Sequence, residues 1–260
     1  MAKETVLITG ATSGIGYELS KIFALAGFRL ILVGRNPTKL KEVENEFSNK
    51  TSCQIIIADL SEENAAEKIF SETEKLGLDV DILVNNAGFG LYGEFTKTDL
   101  ERETDMIRVN IIALTKLCKL YLPKMIKKRS GKILNLSSTA AFQPGPLMAV
   151  YYATKAYVLH FSEGISEELI GSGVSVTALC PGPTESGFQK EARMDKSMEV
   201  LSRENVMDTK TVAQIGYNAL MNKKVVQIAG LKNAITANSV RLIPRSIVRK
   251  IVKRIQQKRS

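Results

Sequence analysis

Short apolar runs alternate with segments of helical period along most of this chain, and that alternation limits the fold more than any other feature. The stretches TVLIT (5–9), RLILVG (29–34), CQIII (53–57), DILV (81–84), KILNLS (132–137) and VSVTAL (174–179) have strand length, and VVQI (225–228) makes a seventh. Their Val, Ile and Leu run on without polar alternation, the pattern of strands covered on both faces. Helical periods lie near 15–26, 37–48, 61–76, 99–128, 151–171 and 210–221. This order predicts an α/β fold: a single doubly wound parallel sheet of the Rossmann type, of about seven strands, with helices on both faces. Pro37 suits the first turn of its helix, whereas Pro123 is expected to kink or end the long one. No repeat, low-complexity stretch or linker interrupts the chain, so residues 1–240 read as one globular body, followed by a distinct tail at 241–260.

Charge sets the tail apart. It carries eight of the 36 Lys and Arg and none of the 27 acids, which leaves the body nearly neutral. After Pro244, Ile247, Val248, Ile251, Val252 and Ile255 recur at helical spacing, with Arg249, Lys250, Lys253 and Arg254 between them. Such a basic amphipathic helix can dock on the body or on a neighbouring subunit, or it can lie on an anionic membrane. The neutral body and the absence of aromatics in the tail argue against nucleic acid. The opening MAKETVLITG has no h-region or cleavage signature. The longest uncharged run, Ile133 to Thr154, is broken by Gln143, Pro144, Gly145 and Pro146, so no membrane span is expected. Cys53, Cys118 and Cys180 are few, odd in number and far apart, as for reduced thiols in a cytoplasmic protein. His160 is the only histidine, so no usual metal site can be assembled.

Two features point to a nucleotide. TGATSGIG (9–16) directly follows the first strand and opens the first helix. Gly10 can make the tight turn, Gly14 lets backbone approach a pyrophosphate and Gly16 permits close helix–strand packing, with Ser13 and Ile15 in the same loop. The second strand ends at VGRN, where an acid would bind ribose hydroxyls. Arg35 stands there instead, with no acid between Leu30 and Leu40, and a guanidinium suits a 2′-phosphate. The expected cofactor is therefore NADP(H).

The spacing Gly-x3-Gly-x-Gly, followed in order by ADL (58–60), NNAG (85–88), VN (109–110), SS (137–138), YxxxK (151–155) and PGPTES (181–186), resembles the short-chain dehydrogenase/reductase family over about residues 3–230. The resemblance implies an oxidoreductase that interconverts a carbonyl and an alcohol. It also implies a homodimer or homotetramer built through the helices at 99–128 and 151–171. By the same resemblance Asp59 lies at the adenine edge, and Asn85, Ala87 and Gly88 line the cofactor side of the fourth strand's end. Pro181 and Gly182 lie beside the nicotinamide, with Thr184 preferred over Ser186 for its carboxamide.

Tyr151 and Tyr152 both share a helix face with Lys155, at i+4 and i+3, so helical geometry does not choose between them. The family pattern does: its tyrosine precedes the lysine by four, and its serine lies about thirteen positions earlier, which selects Tyr151 and Ser138. In that role Tyr151 protonates the alkoxide left by hydride transfer. Its ordinary pKa of about 10 is expected to fall beside the Lys155 ammonium. Ser138 holds the substrate oxygen, and Asn110 positions a water that links Lys155 to solvent. Residues 183–208 are expected to form a flap over the pocket, with Phe142, Met148, Phe188 and Met194 as apolar lining and a hydrophobic ketone or secondary alcohol as substrate. The competing class is a catalytically silent nucleotide sensor or scaffold of the same fold, for which a damaged tetrad would be expected; Asn110, Ser138, Tyr151 and Lys155 are all present.

Overall fold

The computed structural model describes residues 4–185, 187–188, 192 and 206–257. Six strands, β1 (Thr5–Thr9), β2 (Arg29–Gly34), β3 (Cys53–Ile57), β4 (Ile82–Asn85), β5 (Gly131–Leu136) and β6 (Val174–Cys180), precede a short pair, β7 (Thr184–Glu185) and β8 (Met207–Asp208), and a last strand, β9 (Val226–Ile228). All but β7 and β8 form one parallel sheet in the order β3-β2-β1-β4-β5-β6-β9. The order reverses between β1 and β4, which opens a crevice at the carboxyl ends of the strands.

Successive side chains of a strand serve opposite faces, and both faces are covered, which is why the strands lack polar alternation. On one face Val6, Ile8, Leu30 and Leu32 pack against Leu19, Phe23, Leu40, Phe47 and Leu220. These come from α1 (Gly14–Leu25), α2 (Pro37–Ser48) and α7 (Thr209–Met221). On the other, Leu7, Ile31, Ile133 and Val176 meet Ile69, Leu117, Tyr121 and Val158. Those belong to α3 (Ala65–Lys75), α5 (Leu114–Lys128) and α6 (Ala149–Glu168). Each such buried side chain contributes about 1.5–3 kcal/mol relative to exposure.

Pro123 does not end its helix. It lies inside α5, which runs on to Lys128 and stops at Arg129, a left-handed residue with φ 53°. Pro123 and Lys119, whose carbonyl loses its partner, are both exposed, so the forfeited bond falls on the wet side of the helix. The real irregularity is upstream, where α4 (Leu100–Ile107) passes through a π turn at Arg108–Ala113 before α5 begins. The helix expected from residue 61 starts later, because Asp59 holds a turn there: its carboxylate accepts from the Ser61 amide at 2.9 Å and hydroxyl at 2.8 Å.

Neither β7 and β8 nor α8 (Leu231–Ser239) is among the elements expected from the sequence. The tail forms a 3-10 turn (Val240–Leu242) and α9 (Arg245–Gln257). Val248, Val252 and Gln256 of α9 are buried against the body. The Tyr92 hydroxyl donates to the Gln256 carbonyl at 3.1 Å, and Gln256 Nε2 donates to the Tyr152 hydroxyl at 2.8 Å. Among the described residues no helix is long and apolar enough to cross a membrane.

Candidate active site

A cavity of about 460 Å³ runs along the carboxyl ends of the strands and is lined by residues from 10 to 256. At one end lies the glycine loop. Gly10 (φ 65°) and Gly14 (φ 57°) are left-handed, a conformation side chains disfavour. Gly16 has a different reason to be glycine: a Cβ there would lie 2.2 Å from the Gly10 carbonyl oxygen and 2.3 Å from Asn86 Nδ2. Asn86 pins the loop to β4. Its Nδ2 donates to the carbonyls of Thr9 (2.9 Å) and Gly10 (3.1 Å), and its amide donates to Thr9 Oγ1 at 3.0 Å. Ser13, Ile15, Arg35 and Asp59 line the same end, and Arg35 is exposed just past β2.

The sequence expectation for Asn85 needs correcting. Asn85 does not line the cavity; its Nδ2 donates to Asn135 Oδ1 at 2.9 Å and to Cys118 Sγ at 3.3 Å inside the core. As the last residue of β4 it points to the α5 side, and the lining is formed by the next three residues, Asn86, Ala87 and Gly88. The adjacent asparagines of NNAG carry both roles, and strand alternation assigns opposite faces to them.

At the other end the four candidates for chemistry meet. Lys155 is 5% exposed, and its Nζ donates to the Leu136 carbonyl at 2.8 Å. A Cβ on Gly88 would stand 2.9 Å from Asn110 Oδ1 and 3.3 Å from Lys155 Nζ, so these groups converge on one point. The π turn carries Asn110 inward, where Oδ1 accepts from the Phe89 amide at 3.2 Å. Its Nδ2 donates to the Phe89 carbonyl and Thr154 Oγ1, both at 3.0 Å. Single π turns occur often at functional sites, and the sequence pattern gave no sign of this one. The adjacent serines diverge. Ser137 is buried and donates to the Lys155 carbonyl at 2.8 Å, while Ser138 lies beside Tyr151, caps a 3-10 turn (Thr139–Phe142) and donates to the Pro181 carbonyl at 3.4 Å.

The tyrosines diverge as well. Tyr151 is buried, with its ring 5.1 Å from that of Phe188 and 5.8 Å from Lys155 Nζ. Tyr152 lines the cavity and receives Gln256. Burial pushes the Tyr151 phenol above its ordinary value; the Ser138 hydrogen bond works against this and the Tyr152 ring adds to it. Burial lowers Lys155 from 10.5 to about 8. The expected lowering of Tyr151 by the Lys155 ammonium is therefore not found in this structure, where desolvation dominates. A phenol held neutral at physiological pH is the form that can give up a proton.

Pro181, Gly182 and Thr184 border this end, and Thr184 Oγ1 donates to the Gly182 carbonyl at 3.0 Å. Met148 and Phe188 line the cavity, as do Phe89, Arg102, Gln143 and Gln256, which sequence reasoning missed. Phe142 does not; it packs beside Leu159, Ala178 and Cys180. Ser186, Met194 and most of the flap at 183–208 lie outside the described residues.

Comparison with known proteins places the chain in a family. A family model described as short chain dehydrogenase matches residues 4–197. An uncharacterized oxidoreductase, YvrD, of Bacillus subtilis is 35% identical over 184 residues, covering 71% of this chain and 70% of the relative. A very-long-chain 3-oxoacyl-CoA reductase of Anas platyrhynchos is 36% identical over 67% of this chain but only 58% of its own length. Among solved structures, a short-chain dehydrogenase from Sphingobium yanoikuyae in complex with NADPH superposes with a TM-score of 0.83 at 29% identity, covering 91% of this chain and 92% of that one. A bulky-bulky ketone specific alcohol dehydrogenase from Comamonas testosteroni gives 0.79 at 27% identity, over 93% and 92%. With three quarters of its length matched by the family model and its fold superposing on that of these enzymes, this chain belongs to the short-chain dehydrogenase family of oxidoreductases.

Proposed function

We propose that this protein is an NADP(H)-dependent reductase of a hydrophobic ketone or aldehyde, able to run in reverse on the alcohol. The observation that carries the reading is the convergence of Ser138, Tyr151, Lys155 and Asn110 at one end of a cavity whose other end is a glycine loop on a helix amino terminus. The cradle fits a dinucleotide: Gly10 and Gly14 keep side chains away from it, and the first turn of α1 contains no acid to repel phosphate. Ser13, Gly14 and Ile15 would hold the pyrophosphate, Asp59 the adenine side, Ala87 and Gly88 the middle, and Pro181, Gly182 and Thr184 the nicotinamide side. When bound, the cofactor supplies the hydride to the carbonyl carbon. Ser138 donates a hydrogen bond to the carbonyl oxygen and orients it. Tyr151 transfers its proton to that oxygen as the C–O π bond breaks, and its phenolate is stabilised by the Lys155 ammonium. Phe89, Met148, Tyr152 and Phe188 make the substrate end apolar, which supports a hydrophobic substrate.

Arg35 supports the choice of NADP(H), and its replacement tests it. Arg35→Asp should weaken NADPH relative to NADH by about ten- to a hundredfold in kcat/KM, since a carboxylate repels a 2′-phosphate and accepts ribose hydroxyls. Equal use of both cofactors by the unaltered protein, or no change in the variant, would refute the preference. The same reading includes a homodimer or homotetramer through α4, α5 and α6. Ile112 (42%) and Tyr157 (38%) stay exposed there, and Tyr157 stacks on Phe161 with ring centroids 5.7 Å apart. A single monomeric species in sedimentation at micromolar concentration would contradict it.

A further inference from the structure

The helix α9 presents two adjacent rows. Val248, Val252 and Gln256 are buried against the body, whereas Ile247, Ile251 and Ile255 remain 48%, 45% and 47% exposed. At 100° per residue the order around the axis is the docked row, then Arg249 and Lys253, then Lys250 and Arg254, then the isoleucines. Leu242 just upstream is 88% exposed, and Leu231 and Ile235 of α8 add further uncovered apolar surface. No ion pair to Arg245, Arg249, Lys250, Lys253 or Arg254 is seen among the described residues.

The occupant of this face has to satisfy both halves of its chemistry. A second copy docked on the same row would bring two tails of eight cations together with no acid to offset them. Nucleic acid would neutralise the cations but leave the isoleucines wet, and the tail has no aromatic side chain on which bases could stack. An anionic bilayer offers headgroup charge and an apolar boundary a few ångströms apart. We propose that α9 is a peripheral membrane anchor, with the Ile247–Ile251–Ile255 row in the interface of an anionic lipid surface and Lys250 and Arg254 among the headgroups. Because Gln256 of the same helix walls the cavity, docking would hold that cavity within about one helix diameter, roughly 10 Å, of the lipid. Apolar substrates dissolved in the membrane would then be close at hand.

Flotation of the full chain with vesicles tests this without any turnover, so it stands or falls separately from the catalytic reading. Phosphatidylcholine vesicles with about 30% phosphatidylglycerol should carry the protein at low salt, and pure phosphatidylcholine should carry roughly tenfold less. Replacing the row by Ile247→Ser, Ile251→Ser and Ile255→Ser, or reversing charge by Lys250→Glu and Arg254→Glu, should each lower binding about tenfold or more. Far-ultraviolet circular dichroism and denaturant unfolding check that the variants remain folded. Equal flotation of the variants and the unaltered chain, or none by any of them, would overturn the proposal. So would a fall in sedimentation mass of the isoleucine variant without vesicle binding by the parent, which would assign the row to contact between copies. Tight salt-dependent binding of duplex DNA in place of vesicles would overturn it equally.

Discussion

Tyr151→Phe should lower kcat by roughly a thousandfold, within the range expected for a general acid, while NADPH binds as before. The substitution removes one oxygen and keeps the ring that packs 5.1 Å from Phe188 and 6.1 Å from Tyr152, so the pocket wall remains. What goes is the group at the Ser138 hydroxyl that can hand a proton to a nascent alkoxide. Tyr152→Phe is the internal comparison. It forfeits the 2.8 Å bond from Gln256 Nε2, worth about 1 kcal/mol, and should shift KM by a fewfold with kcat largely kept. The measurement is the initial rate over a panel of apolar ketones, with NADPH fluorescence titration in parallel. If Tyr152→Phe were the inactive variant, or if Tyr151→Phe kept full activity, the assignment of the proton donor would be wrong. Silence of the unaltered protein across ketones, aldehydes and alcohols would instead favour a nucleotide sensor.

Much of this was legible because the signals are local. The apolar runs at 5–9 and 29–34 coincide with β1 and β2, since a strand buried on both faces has little sequence freedom; the run at 53–57 is β3, the edge strand, where Gln54 and Ile57 are exposed. Gly10, Gly14, Ser138 and Lys155 sit in motifs whose spacing is set within one loop or one helix, and the structure gathers them along one cavity. What was missed depends on groups distant in sequence or on which way a side chain turns. Asn85 and Asn86 are neighbours in a motif, and only the position of β4 against α5 decides which one faces the loop. Gln256 reaches Tyr152 across 104 residues, a contact that no local pattern encodes. The π turn at Asn110 is likewise set by what the asparagine must reach, Phe89 and Thr154, and not by helix propensity.

Lys155→Met should separate the catalytic value of the lysine from its cost to the fold. The folded protein holds the ammonium 5% exposed, donating to the Leu136 carbonyl, and burial lowers its pKa from 10.5 to about 8. Below pH 8 both folded and unfolded chains carry the proton, and folding bears the whole penalty of burying the charge. Between about 8 and 10.5 the unfolded chain binds more protons than the folded one, so this group makes stability rise with pH across that window. The full penalty is about 3 kcal/mol. Cys118 and Cys180, raised by burial from 9.0 to about 12, act in the opposite sense above pH 9. Comparing variant and parent at each pH removes that contribution. Methionine keeps the apolar stem and drops the charge, while leaving the Leu136 carbonyl without its donor costs about 1 kcal/mol. Lys155→Met should therefore be more stable than the parent by about 2 kcal/mol at pH 7, an advantage that shrinks and reverses as pH approaches 10. Turnover should fall by roughly a thousandfold, because the Tyr151 phenolate would form with no cation beside it. Denaturant unfolding at several pH values reads the first effect and initial rates read the second. A variant less stable than its parent at pH 7, with a stability difference that does not change up to pH 10, would mean that Lys155 is not a buried charge. A stable variant with unchanged turnover would mean that it is buried and idle. The combination expected, a gain in stability with a loss of rate, is what a site produces when its chemistry requires a charge that its packing disfavours.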